Sequence, residues 1–186
     1  SVSLSSDGLT VAIGAKGNDN NTHNSGHVRV YQYSNSNSNW NQLGSDIDGE
    51  AASDDTGWSI SLSSDGTIVA IGAPYNNGNG DNSGHVRVYQ YSNSSWTQLG
   101  SDIDGEAEDD QSGLSVSLSS DGTIVAIGAN YNSDNGYRSG QVRVFQYLDS
   151  SWSQIGQDID GEASDDQSGY SLSLSSDGRI VAIGAA

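Results

Sequence analysis

The chain has no cysteine and no methionine, one proline, one phenylalanine and only six lysines and arginines among 186 residues. Each shortage excludes something. Without cysteine there is no disulfide framework, no thiolate zinc site and no thiol nucleophile. Six scattered cations cannot neutralise a row of phosphates, so no nucleic-acid partner is expected. No apolar run approaches the roughly 18 residues of a membrane helix, so no membrane insertion is expected. The first residue is Ser1, in mid-pattern. That start is expected of a processed product or of a segment of something longer.

What is abundant is acid and small polar residues. Twenty-four Asp and Glu give a formal charge of −18, and 24 glycines accompany many serines and asparagines. Composition alone would suggest disorder. The order of the residues overturns that reading. SVSLSSDG at Ser1 returns as SISLSSDG at Ser59, SVSLSSDG at Ser115 and SLSLSSDG at Ser171. The period is therefore 58, 56 and 56 residues, and the second and third units agree at 41 of 56 positions. The two extra residues lie in SNSNSNW, Ser34 to Trp40, against SNSSW, Ser92 to Trp96. The chain divides into units 1–58, 59–114 and 115–170 and a partial fourth, 171–186, that holds the first two strands.

Each unit reads as four strands. In the second unit, Ser59–Ser63 alternates polar and apolar with period two. A Ser64-Asp65-Gly66 turn follows, in which Asp and Gly tolerate positive φ. Ile68–Ala73, IVAIGA, is continuously apolar and predicts a strand buried on both faces. After a polar loop, His85–Tyr91 alternates again, and Trp96–Ile103 predicts the fourth strand. Helical periodicity is absent. The fold class is all-β, with tandem four-stranded antiparallel blades of β-propeller type, three complete and a fourth partial. A solenoid coil usually has a shorter period, and a sandwich has no reason to repeat at this identity. Propellers need four to eight blades, so the ring is expected to be incomplete or open.

The stretches SGLSVSLSSDGTIVAIGA and VAIGAPYNNGNGDNSGHVRVYQY, with Ser-Gly-x-Val-x-Val-Tyr at Ser25–Tyr31, Ser83–Tyr89 and, with Phe, Ser139–Phe145, resemble the FG-GAP repeats of integrin α-type propellers. The name-giving Phe-Gly corresponds to Gly57, Gly113 and Gly169, preceded by Thr56, Ser112 and Ser168. Gly-Ala-Pro is intact only at Gly72-Ala73-Pro74. The resemblance implies the propeller blade and, in many members, a calcium loop of several acids between the first two strands. Here that place holds single acids, Asp7, Asp65, Asp121 and Asp177, too few for the six to eight oxygens calcium takes. They read as hairpin-turn residues.

A different acidic loop recurs once per unit: Asp46, Asp48, Glu50 and Asp54; Asp102, Asp104, Glu106 and Asp110; Asp158, Asp160, Glu162 and Asp166. Acids at relative positions 1, 3, 5 and 9 echo a hard-cation loop, so calcium is one reading and a solvated acidic connector the other. Beyond calcium no cofactor is expected. His27 and His85 are equivalent, but the third unit has Gln141 there, and no second ligand stands at a fixed spacing from them. They and His23 read as polar positions at a strand start and not as a zinc site. Arg29, Arg87 and Arg143 share one place in Val-Arg-Val. Each is expected to meet a carboxylate of the acidic connector and to hold adjacent blades in register; an arginine cluster for substrate is the rival. Trp40, Trp96 and Trp152 open the outer strand and read as packing anchors more readily than as sugar platforms.

No catalytic set is visible, so the chain is not expected to be an enzyme. The sequons at Asn20 and Asn93 fall in polar loops and are glycosylation candidates. Together these features predict a non-enzymatic extracellular or cell-surface repeat protein, structural or adhesive, that self-associates through open blade edges as part of a filament. The alternative is a ligand-binding domain, for a glycan or a cation-dependent protein partner, cut from a larger closed ring.

Overall fold

The computed structural model describes residues 1–186 and is all-β. The first blade holds β1 (Val2–Leu4), β2 (Thr10–Ala15), β3 (His27–Ser34), β4 (Asn39–Gln42) and β5 (Ile47–Asp48). The second holds β6 (Ser59–Leu62), β7 (Ile68–Ala73), β8 (His85–Ser92), β9 (Ser95–Gln98) and β10 (Ile103–Asp104). The third holds β11 (Ser115–Leu118), β12 (Ile124–Ala129), β13 (Gln141–Leu148), β14 (Ser151–Gln154) and β15 (Ile159–Asp160). β16 (Ser171–Leu174) and β17 (Val181–Gly184) form a two-stranded fourth sheet. All strand pairings are antiparallel and no ring closes.

Each blade is four strands deep, because its last two strands are one outer strand in two pieces. Both β9 and β10 pair with β8, one along each half. The predicted continuous strand Trp96–Ile103 is thus interrupted. Gly100 has φ +70°, which breaks the extended backbone, and pairing resumes at Ile103. The loop between the third and fourth strands also follows the sequence. Asn93-Ser94 and Asp149-Ser150 turn in two residues with all four φ positive, whereas the first blade spends Asn35 to Ser38 on the same corner.

Apolar packing lies between blades. One cluster joins Ala12, Val28, Val30 and Ile47 of the first blade to Ile60, Leu62, Val69 and Ile71 of the second. Another joins Ile68, Ala70, Val86, Val88 and Ile103 to Leu118, Val125, Ile127 and Phe145 of the third. β7 sends alternate residues into the two clusters, which is why IVAIGA is buried throughout. Each fully buried Val or Ile contributes roughly 1.5–3 kcal/mol.

The serines knit successive blades. Ser3, Ser61 and Ser117 hydroxyls accept from the amides of Leu62, Leu118 and Leu174, each 3.0 Å away in the next blade. Ser1, Ser59 and Ser115 hydroxyls donate to the carbonyls of Gly57, Gly113 and Gly169. The Ser-x-Ser-x-Ser pattern that looks like low complexity is an interblade hydrogen-bond ladder.

A tryptophan locks the rim. Trp96 Nε1 donates to Leu43 O at 2.8 Å, and Trp152 Nε1 to Leu99 O at 2.7 Å, each in the preceding blade. The indole edge lies over the glycine that follows. A Cβ on Gly44 would come within 2.9 Å of Trp96 Cδ1, and one on Gly100 within 3.0 Å of Trp152 Cδ1. The break in the outer strand is where the next blade's tryptophan sits.

Candidate functional site

The chemistry-bearing side chains gather where the third strand meets the second piece of the outer strand. Antiparallel register places His27 opposite Asp48 and His85 opposite Asp104. With Ile47 and Ile103 turned into the core, Asp46 and Asp48, and likewise Asp102 and Asp104, share the other face with the histidine and the arginine two residues on.

In the first blade Arg29 grips Asp46, with Nε 3.0 Å from both oxygens and Nη2 2.7 Å from Oδ2. Gln42 Nε2 donates to Oδ1 at 2.7 Å. In the second blade Arg87 Nε donates to Asp102 at 3.1 Å, Gln98 donates to the same carboxylate at 2.6 Å, and Arg87 Nη2 reaches across to Glu50 of the first blade. In the third, Arg143 turns entirely to its predecessor: Nη2 donates to Asp104 O at 2.7 Å and Nη1 lies 3.5 Å from Glu106. Gln141, in the histidine position, also donates to Glu106. Arg87 and Arg143 are buried, while Arg29 leaves 39% of its side chain exposed.

The other acids are distributed and do not converge in fours. Asp54 and Asp110 are buried; they accept from the Ala51 and Ala107 amides and from Asn76 and Asn132 of the following blade. Asp158 accepts from Gln154, and Asp166 from the Ala163 amide. Asp160 and Glu162 are exposed. The 1, 3, 5, 9 spacing therefore sends its acids to an arginine clamp, a cross-blade pair and a turn cap. Asp7, Asp65, Asp121 and Asp177 each knot their own hairpin, accepting from Ser5, Ser63, Ser119 and Ser175. Asn20 and Asn93 lie exposed in loops.

His27 and His85 open β3 and β8, as expected of polar positions at a strand start, and it is the carboxylates beside them that the sequence did not place. His27, Asp46 and Asp48, and His85, Asp102 and Asp104, each bring three donor atoms within 4.8 Å of one another. The readable signal was the joint recurrence of His-x-Arg and Asp-Ile-Asp in two units; the missing information was the register that sets them opposite. Burial pushes the His85 imidazole below its ordinary pKa.

Hydrogen bonds from Arg29 hold the Asp46 carboxyl at about 2, against the opposing push of burial. Burial pushes Asp102 up, but the Gln98 hydrogen bond and the Arg87 charge outweigh it and leave it low. A carboxylate depressed in the fold stabilises it above its unfolded value, near 4, and that contribution is lost as pH falls through the folded value. The melting temperature is therefore expected to fall between about pH 4 and pH 2, and Asp46→Asn to flatten that fall. Melting curves across this range check it; parallel curves for the two proteins would refute it.

FG-GAP repeats match residues 46–89 and 102–145. No curated protein matches the chain. Among solved structures, a protein provisionally assigned as a 6-phosphogluconolactonase from Bacteroides fragilis aligns with TM-score 0.57 and 12% identity over 88% of this chain and 40% of its own. A second such protein, from Bacteroides uniformis, aligns with TM-score 0.52 and 13% identity over 99% of this chain and 63% of its own. The Pseudomonas aeruginosa periplasmic gluconolactonase gives TM-score 0.52 and 15% identity over 99% of this chain and 50% of its own. The chain spans less than two thirds of each, and at these identities the likeness concerns the fold alone. Both matched repeats begin in an acidic connector and end in the third strand of the next blade, so each spans the linker from one blade to the next. Residues 46–89 and 102–145 are FG-GAP repeats, set in a propeller-like row of blades.

Proposed function

We propose that this segment is a structural, non-catalytic element of an extracellular or cell-surface protein, and that it associates with further copies by blade-to-blade stacking. One observation carries the reading. The same lock, a tryptophan over the preceding blade's glycine and an arginine reaching an acid across the joint, is made at both internal joints. The outer faces of the first and third blades each carry one half of it. Val2, Leu4, Ile13 and Trp40 are exposed on the first blade, whereas their counterparts Ile60, Leu62 and Ile71 are buried under a neighbour. At the other end a Cβ on Gly156 would touch nothing, although Gly44 and Gly100 are covered by a tryptophan. Arg29 is half exposed at one end and Glu162 exposed at the other, the pair that Arg87–Glu50 and Arg143–Glu106 make within the chain. Complementary, non-identical faces of this kind add head to tail, and a rotation that does not close gives a filament.

Sedimentation of the chain over a wide concentration range tests this. Mass is expected to rise with concentration, and Arg29→Glu is expected to suppress the rise. A chain that stays monomeric at every concentration removes the stacking reading. The runner-up, a ligand-binding propeller domain, is favoured by a cleft of about 420 Å3 on the loop side. Tyr131 and Tyr137 line it beside Asp109 and Asp134, and the Arg138 guanidinium lies 4.3 Å from the Tyr131 ring centre. Aromatic faces beside acids suit a glycan.

A further inference from the structure

We propose that His27 with Asp46 and Asp48, and His85 with Asp102 and Asp104, are two sites for a divalent transition ion of the zinc class. The donor sets are one imidazole nitrogen and two carboxylates each, converging within 4.8 Å. His27 is 4% exposed, and its Nδ1 is buried with no hydrogen-bond partner. A buried polar atom left unpaired costs about 1–3 kcal/mol, so it calls for a partner. That nitrogen lies 3.8 Å from Asp46 Oδ2, and His85 Nδ1 lies 3.6 Å from Asp102 Oδ2. These separations are long for a hydrogen bond. They are close to the roughly 3.4 Å between two ligands on one tetrahedral ion with bonds of 2.0–2.1 Å.

The surroundings prepare the carboxylates. Gln42 and Arg29 hold Asp46 from two sides, and Gln98 and Arg87 hold Asp102. Such outer contacts orient a ligand before the ion arrives. The arginine does not fill the site, because Arg29 and Arg87 each engage one carboxylate of their set, Asp46 or Asp102, and leave the Asp48 and Asp104 carboxylates without an ion pair. An imidazole nitrogen selects zinc-class ions over calcium and magnesium, which take oxygen alone. Three protein donors leave a fourth position for water. The bound ion would tie the short strands β5 and β10 to β3 and β8, which supports the structural reading above without depending on it.

The third blade is the built-in control. It keeps Asp158 and Asp160 but has buried Gln141 in place of the histidine. His→Gln is therefore a substitution the blade already accepts. Calorimetric titration of the intact chain with Zn2+ at neutral pH is expected to give two ions per chain. His27→Gln and His85→Gln should each remove one, and the double variant both. Gln141→His should add a third. Co2+ in place of Zn2+ should give a visible absorption band that the double variant lacks. Zinc uptake unchanged in the double variant, or no stoichiometric uptake by the parent chain, overturns the proposal. Sedimentation of the double variant without metal separates it from the stacking reading, which requires self-association to persist.

Discussion

Replacing Gly72 by alanine is expected to destabilise the chain by about 3 kcal/mol or more, as overpacking at an immovable contact does. A Cβ at Gly72 would overlap the carbonyl oxygen of Gly113, and backbone cannot step aside as a flexible side chain can. Gly113 is itself at φ +89°, with its amide bonded to Gly128 O and its carbonyl to Ser59 Oγ. The two glycines that name the repeat thus touch each other across the joint, one near the end of a blade's second strand and the other just before the next blade's first. Gly14 against Gly57 and Gly128 against Gly169 repeat the contact. Gly184 is the internal comparison, since a Cβ there meets only Ser171, chiefly its hydroxyl. Gly128→Ala should match Gly72→Ala, while Gly184→Ala should cost less than about 1 kcal/mol. Urea unfolding of the three variants decides it. Equal losses at Gly72 and Gly184 would show that close approach is not what fixes the joint.

That contact also marks how far the sequence could be read. The repeat, the four strands and the buried IVAIGA segment follow from periodicity, because side-chain alternation within one strand is a local property. The pairing of Gly72 with Gly113 is not local. Neither is the reach of Arg87 to Glu50, which depends on how one blade lies on the next. The arginines looked equivalent, yet Arg29, Arg87 and Arg143 have three different partner sets. A carboxylate beside the paired strand of the same blade and one across the blade joint look alike in sequence. The outer strand looked continuous because Leu99, Gly100 and Ser101 carry no strong break signal apart from one glycine. Its interruption falls at a glycine of positive φ in every blade, Gly44, Gly100 and Gly156, and Gly156 has no tryptophan over it, so the break belongs to the blade itself. The histidines looked solitary because their carboxylate neighbours are set by register and are almost twenty residues away in the chain.

Removing the tryptophan that crosses a joint has the second large effect. Trp152→Ala is expected to cost about 3 kcal/mol, from lost apolar contact and from the orphaned Leu99 carbonyl. Trp152 packs against the cluster shared by the second and third blades and lies 5.1 Å from the Tyr147 ring. Trp96→Ala should behave alike, since it packs against the first joint and donates to Leu43 O. Trp40 occupies the same place in the sequence and a similar position beside Tyr33, 5.4 Å away, but it is 44% exposed. Trp40→Ala should therefore cost less than about 1 kcal/mol in dilute solution. Chemical unfolding of the three variants gives the comparison, and equal losses would place the energy inside each blade instead of at the joint. The concentration dependence sharpens the test. If copies stack as proposed, Trp40 acquires the partner that Trp96 and Trp152 already have. Trp40→Ala should then weaken association while leaving the dilute monomer unchanged, an outcome that separates an interblade anchor from an ordinary surface aromatic.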